Sequence, residues 1–129
     1  MMSIKVALVL ISVCALAWAQ ESNLQAIMKY HNECKAETNV DDSLVTGLMT
    51  GKFPDDPTLK QHMFCMSKKL GIQNEAGEIQ MEAVQQKIGK VTNDEAKVAE
   101  LTEKCSVQQG SPEDTAFEMA KCIYGGTHP

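Results

Sequence analysis

The run Ser111-Pro112-Glu113-Asp114-Thr115-Ala116-Phe117-Glu118-Met119-Ala120-Lys121-Cys122-Ile123-Tyr124-Gly125-Gly126 reads as one helix from start to stop. Ser111 is a side-chain cap for an orphan amide, and Pro112 suits the first helical position, where no N–H is needed. Glu113 and Asp114 sit at the positive end of the helix dipole. Ala116, Phe117, Ala120, Ile123 and Tyr124 then recur on one face of a 3.6-residue period. Gly125-Gly126 supplies the stop.

The same signals recur upstream. A first helix is expected from about Ser22 to Lys35, with Leu24, Ile27, Met28, His31 and Cys34 in phase. Asp42 or Ser43 caps a short second helix carrying Leu44, Val45, Leu48 and Met49, which Gly51 ends; Phe53-Pro54 makes a turn. Asp56-Pro57 opens a third, with Leu59, Met63, Met66 and Leu70 on its apolar face and Gly71 after it. After a polar loop, Gln73 to Gly77, a fourth runs from Glu78 to about Ile88 on the stripe Ile79, Ala83, Val84 and Ile88. Thr92-Asn93-Asp94-Glu95 is a capping box for a fifth, which carries Ala96, Val98, Ala99, Leu101 and Cys105. No β-branched alternating run competes. The expectation is all-α, with about six short helices.

Elsewhere the chain is bounded by its composition. Its 129 residues suit one domain, and 43% hydrophobic with 22% charged residues is globular rather than disordered. All twelve basic residues are Lys, and the formal charge is −5. Without Arg forks or a basic stripe, nucleic acid is not an expected partner. Residues 1–19 read as a signal peptide: a short cationic start ending at Lys5, an apolar stretch Val6 to Leu16, then Ala17-Trp18-Ala19 as cleavage site. The apolar stretch is too short for a bilayer span, so no stable membrane insertion is expected. Cleavage leaves residues 20–129 as the domain, and the loss of Lys5 takes the charge to −6. The expected location is secreted and extracellular.

Cleavage also removes Cys14, leaving Cys34, Cys65, Cys105 and Cys122. An even number in a small secreted domain reads as two disulfides. Zinc would want clustered pairs, whereas the intervals here are 30, 39 and 16 residues, so no metal or other cofactor is expected. Three connectivities are possible, and spacing alone does not choose.

These cysteines and the tract Glu113 to Cys122 resemble the insect odorant-binding proteins of the pheromone- and general-odorant-binding group. The loop Leu70-Gly71-Ile72-Gln73-Asn74-Glu75-Ala76-Gly77-Glu78-Ile79 is similar to the linker between that family's third and fourth helices. The family has six cysteines, and at the positions of its second and fifth this chain carries Gln61 and Glu113. Since those two bond each other in the family, the resemblance is to its four-cysteine "minus-C" branch. It implies the pairs Cys34–Cys65 and Cys105–Cys122. It also implies helices enclosing an apolar cavity for volatile or lipid-like molecules.

The residues themselves offer no chemistry. G-x-S-x-G, H-E-x-x-H and phosphate-loop patterns are absent, so the chain is not read as an enzyme. Asn74 to Glu78 lacks the acidic ladder of a calcium loop. The pairs Asp41-Asp42 and Asp55-Asp56 read as helix caps or solvated acids rather than acid/base pairs. Six Met remain after cleavage against five aromatic residues, and Met adapts to varied surroundings. Read alone, Met49, Met63 and Met66 suit an ordinary core; the resemblance favours a cavity wall. The lining it implies is Met49, Phe53, Met63, Met66, Leu70, Val84, Ile88, Leu101, Phe117, Ile123 and Tyr124, with the Tyr124 hydroxyl available to a polar head group. His31 and His62 fall in phase with apolar stripes and read as structural or partly exposed, with ligand release on acidification, as in some members of the resembled family, the alternative; His128 reads as tail.

The function expected is a secreted carrier that reversibly binds small hydrophobic molecules, as odorant or pheromone transport in extracellular lymph. A sensory receptor is a further partner in that role, and the expected state is a monomer or weak dimer. The alternatives are non-olfactory carriage in haemolymph or gland secretion, and a secreted interaction or defence protein, which would need an exposed apolar or cationic face.

Overall fold

A computed structural model describes residues 25–128. The leader read at residues 1–19, Leu24 of the first helical stripe and the terminal Pro129 lie outside the described residues. The chain divides into two compact units, Met1–Glu33 and Cys34–Pro129. In the first, the described residues are helical, with Ile27 and Met28 about half exposed and an i,i+4 ion pair between Lys29 and Glu33. This helix, α1, is described over residues 25–38.

In the second unit α1 ends at Asn39, whose left-handed backbone (φ 58°) turns the buried side chain of Val40 inward. Four helices of known caps and one without follow. Helix α2 (Asp42–Leu48) is capped by Asp41, whose carboxylate accepts from the Ser43 N–H. Helix α3 (Pro57–Lys69) has Asp56 accepting from the Leu59 N–H and Pro57 in the first turn. Helix α4 (Met81–Gly89) has no side-chain cap; α5 (Glu95–Cys105) is capped by Asp94 and α6 (Pro112–Thr127) by Ser111. The packed pairs are α3 with α6, α4 with α5, and α5 with α6. Among the described residues there are six helices and one isolated antiparallel bridge, Gln73–Ile79. None of these helices is long and apolar enough to cross a membrane.

Cystines tie the second unit. Cys34 is joined to Cys65 of α3, with 5.7 Å between Cα atoms, and Cys105 of α5 to Cys122 of α6, at 5.5 Å. These helices are too short to persist alone in water, so packing and cross-links hold them.

Helix α1 runs past Lys35 to residue 38, and α2 is capped by Asp41 rather than by Asp42 or Ser43. Three further boundaries differ from the sequence expectation, each for a local reason. Helix α4 begins at Met81 rather than Glu78 because the preceding backbone is already committed. Asn74 N–H donates to the Glu78 carbonyl, Gln80 N–H to that of Ile72, and Ile79 N–H to the side-chain oxygen of Gln108. The buried Gln73 amide fastens this loop by donating to the carbonyls of Gly77 and Pro112, both at 3.1 Å. Helix α5 is capped by Asp94, with Thr92 accepting from the Asp94 N–H instead of closing a box with Glu95. Helix α6 runs through Gly125 and Gly126 to Thr127. Gly126 packs against the Leu101 methyls so closely that no Cβ would fit. There glycine serves helix packing and not termination.

Candidate functional site

Apolar side chains of the second unit gather in two groups. One surrounds Val84, Ile88, Leu101, Cys105 and Met119, with Ile72, Ile79, Val98, Cys122 and Ile123 packed on it. It binds α4, α5 and α6 together around the Cys105–Cys122 bridge. The other surrounds Val40, Leu59 and Phe117, with Leu44, Val45, Leu48, Phe53 and Met63 packed on it. It is built by α2, by the turn holding Phe53, and by α3 and α6.

An aromatic row runs through the second group. Phe53 meets Phe117 edge-on at 6.0 Å between centroids and Tyr124 at 5.7 Å. Such pairs add roughly 0.5–1.5 kcal/mol beyond their buried area. The row ends at His128, whose ring lies flat on Tyr124 at 4.1 Å, with its Nδ1 3.0 Å from Thr127 Oγ1 and 3.2 Å from the Tyr124 carbonyl oxygen. His128, read as tail, is thus part of the row: α6 continues far enough to bring residue 128 back over residue 124.

Gly51 makes room for the row. It adopts φ +82°, and a Cβ there would stand 2.8 Å from Tyr124 Cε1. Gly51→Ala is therefore expected to cost about 1–2 kcal/mol, from left-handed strain plus displacement of the ring. A thermal melt checks this; an unchanged midpoint would mean that Tyr124 moves aside freely.

The sequence-derived lining set is divided by the structure. Phe53, Met63, Phe117 and Tyr124 come together in the aromatic group. Val84, Ile88, Leu101 and Ile123 belong to the other. Met66 and Leu70 are half-buried on and just after α3, and Met49 is 82% exposed at the end of α2. Leu44 and Leu48 join the aromatic group although they were not in the lining set; their helical phase with Val45 was the available signal. His31 is half-buried and His62 buried.

Composition, and not exposure, separates the two groups. Each has a closed centre, with Val84 and Ile88 1% exposed in the first and Leu59 0% and Phe117 4% exposed in the second. Each also has half-buried margins, Ile72, Ile79, Val98 and Ile123 in the first and Leu44, Leu48 and Met63 in the second, and it is the second that carries the aromatic row. Two open clefts also mark the surface of the second unit. One of about 440 Å³ is lined by Glu37, Cys65, Lys68, Lys69 and Glu75. The other, about 670 Å³, lies among Glu82, Gln85, Gln86, Gly89, Thr92, Asn93, Glu95 and Val98. The first is mainly polar and the second mixed, and neither includes a residue of the lining set. Among the described residues, no three His, Cys, Asp or Glu side chains converge as a metal site would require.

The paired acids have structural partners. Asp41 and Asp56 cap α2 and α3, Asp42 pairs with Lys35 at 2.5 Å, and Asp55 pairs with Lys60 at 2.6 Å. The hydrogen bond from the Ser43 N–H holds the Asp41 carboxyl below the usual carboxylate range.

Comparison with known proteins follows the same lines. The PBP/GOBP family matches residues 17–125. The B2 protein of Tenebrio molitor is 37% identical over 114 residues, covering 88% of this chain and 89% of that protein. The solved THP12 carrier protein from yellow meal worm is 31% identical, with a TM-score of 0.60, covering 70% of this chain and 84% of its own. Odorant-binding protein dmelOBP28a from Drosophila melanogaster has the same fold at 21% identity, with a TM-score of 0.69 over 83% of this chain and 93% of that one. Helices, cystines and relatives agree: the chain belongs to the PBP/GOBP family of odorant-binding proteins.

Proposed function

We propose that this protein is a secreted, extracellular carrier that reversibly binds small hydrophobic molecules, works without a cofactor and catalyses no reaction. The observation that carries this reading is the gathering of half-buried apolar side chains around Phe53, on a scaffold belonging to a carrier family. The proposed ligand surface is Phe53, Met63, Phe117 and Tyr124, extended by Leu44 and Leu48. Met66, Leu70 and Ile123, each half-buried, are its proposed margins. Val84, Ile88 and Leu101 act as fixed backing. Met63 and Met66 can repack around differently shaped ligands, because thioether side chains are flexible and polarizable.

Secretion is supported by the leader read at residues 1–19 and by the two cystines, which persist in oxidising compartments. Gln61 and Glu113, standing where six-cysteine relatives carry a bonded pair, support placement in the four-cysteine branch. A second reading, in which the carried molecule is not an odorant, fits the B2 protein and the THP12 carrier protein, whose names do not refer to odour, whereas dmelOBP28a is named for odorant binding. Expression in sensory organs, or in haemolymph and glands, separates the two roles.

A ligand with about 300 Å² of buried apolar surface gains roughly 7 kcal/mol at about 25 cal/mol per Å². Association costs remove part of that, so dissociation constants near micromolar are expected. Titration with the fluorescent probe N-phenyl-1-naphthylamine, followed by displacement with aliphatic alcohols, esters and fatty acids, measures them. Failure of every apolar ligand to displace a bound probe would falsify the carrier reading.

A further inference from the structure

The first turns of α3 hold a cation where a helix disfavours one. Lys60 follows a first turn that contains no acidic residue, close to the positive end of the helix dipole. Its ammonium is met instead by two carboxylates from outside the helix, Asp55 at 2.6 Å and Asp114 of α6 at 2.9 Å. The same nitrogen stands 5.1 Å above the centroid of the Phe117 ring. Lys60 is 19% exposed, although Asp55 and Asp114 are 87% and 46% exposed. An isolated surface pair contributes little. This one joins residues 54 apart in sequence and rests on an aromatic face, which adds a cation–π attraction. Asp114 is itself held, its N–H donating to Ser111 Oγ.

We infer that Lys60 is a positioning residue for the Phe53 group: it clamps the first turn of α6 to α3 and holds the Phe117 ring against the edge of Phe53. The consequence for ligands rests on the carrier reading; the clamp between helices does not.

Charge on the clamp is constant through the neutral range. The hydrogen bond from Lys60 lowers the Asp114 carboxyl, so its stabilisation is present above the ordinary carboxylate value and is lost as pH falls through the lowered one. Hydrogen bonds to Asp55, then Asp114, raise the Lys60 amine, so its stabilisation is present below the ordinary amine value and is lost only as pH rises through the raised one. Salt is therefore the lever at neutral pH, through screening. Gln61 and Glu113 are the chain neighbours of Lys60 and Asp114, so a cystine across them would do the same work covalently.

The test compares wild type with Lys60→Met, which keeps the stem and loses the charge, with Lys60→Arg, and with the oxidised pair Gln61→Cys plus Glu113→Cys, alone and combined with Lys60→Met. Each is melted and titrated with N-phenyl-1-naphthylamine at about 20 and about 500 mM NaCl, conditions that switch screening on. Lys60→Met is expected to lower the folded-to-unfolded ratio about fivefold and to weaken the probe about three- to tenfold. Lys60→Arg restores most of both. Beyond the response that both share through the chain's other ion pairs, salt weakens the wild type about two- to threefold more than Lys60→Met. The cystine removes that difference and the Lys60→Met penalty. If wild type and Lys60→Met respond to salt alike and Lys60→Arg restores nothing, Lys60 merely packs and the inference is overturned. If no probe binds the wild type, the carrier reading fails, and the salt dependence of the melts still decides the clamp.

Discussion

Replacing Cys34 and Cys65 together by serine lowers the free energy of unfolding by about 3–4 kcal/mol. Their sequence separation is 31, and closing a loop of that length removes about that much conformational freedom from the unfolded chain. Cys34 is fully buried and Cys65 nearly so, so two serine hydroxyls in their place add a desolvation cost. The Cys105–Cys122 bridge, at a separation of 17, contributes about 3 kcal/mol by the same reasoning. Domains of this size have about 5–15 kcal/mol in all, so losing either bridge leaves a marginal protein. Urea unfolding measures the effect as a fall in midpoint. A midpoint that survives the double substitution would mean that the helices hold by packing alone.

Ile88→Ala and Phe53→Ala are expected to separate core from ligand surface. Ile88 is 1% exposed among Val84, Leu101, Cys105 and Met119, and its truncation leaves a cavity costing about 2–4 kcal/mol. Ligand affinity at the Phe53 group should stay within about twofold, because distant sites act nearly independently. Phe53→Ala deletes both edge contacts, with Phe117 and with Tyr124, and is expected to weaken apolar ligands about tenfold or more. Its stability cost is smaller, since the ring is only half-buried. Denaturant unfolding and probe displacement on the same preparations measure both. Should Ile88→Ala weaken ligands as much as Phe53→Ala does, the ligand sits among α4, α5 and α6 instead.

The legible part of the fold was that written in local signals. Asp56-Pro57 and Ser111-Pro112 mark helix starts because a short polar cap and a proline without N–H solve the same end problem wherever they occur. The glycines show the limit. Gly51 does take a left-handed turn, as its position after Leu48 suggests, but Gly126 lies inside a helix because Leu101 needs the space. One residue type serves both needs, and only the neighbour decides. Likewise Glu78-Ile79-Gln80 has a helical pattern, yet its backbone hydrogen bonds go to Asn74, Gln108 and Ile72.

The candidate site was legible as a list of apolar residues, without its partition. Helical phase puts Ile88 and Met63 equally inward; the structure packs one completely and leaves the other half-covered. Phase reports which side of a helix turns inward, whereas exposure depends on what the opposing element places there. Lys60 left no sequence signal at all, because Asp114 lies 54 residues away and read as ordinary helix-start acid.

By itself, then, the sequence determined the all-helical class, the starts of α3 and α6, the acidic charge and the set of cysteines able to bridge, since these depend on neighbours within about one helical turn or on plain counting. Tertiary structure alone decided that Phe53 meets both Phe117 and Tyr124, that Gly126 is a packing surface, and that Lys60 joins α3 to α6. Each of those facts is a contact between elements. Such contacts are selected by the joint packing of all the elements together, so no single stretch of chain encodes them.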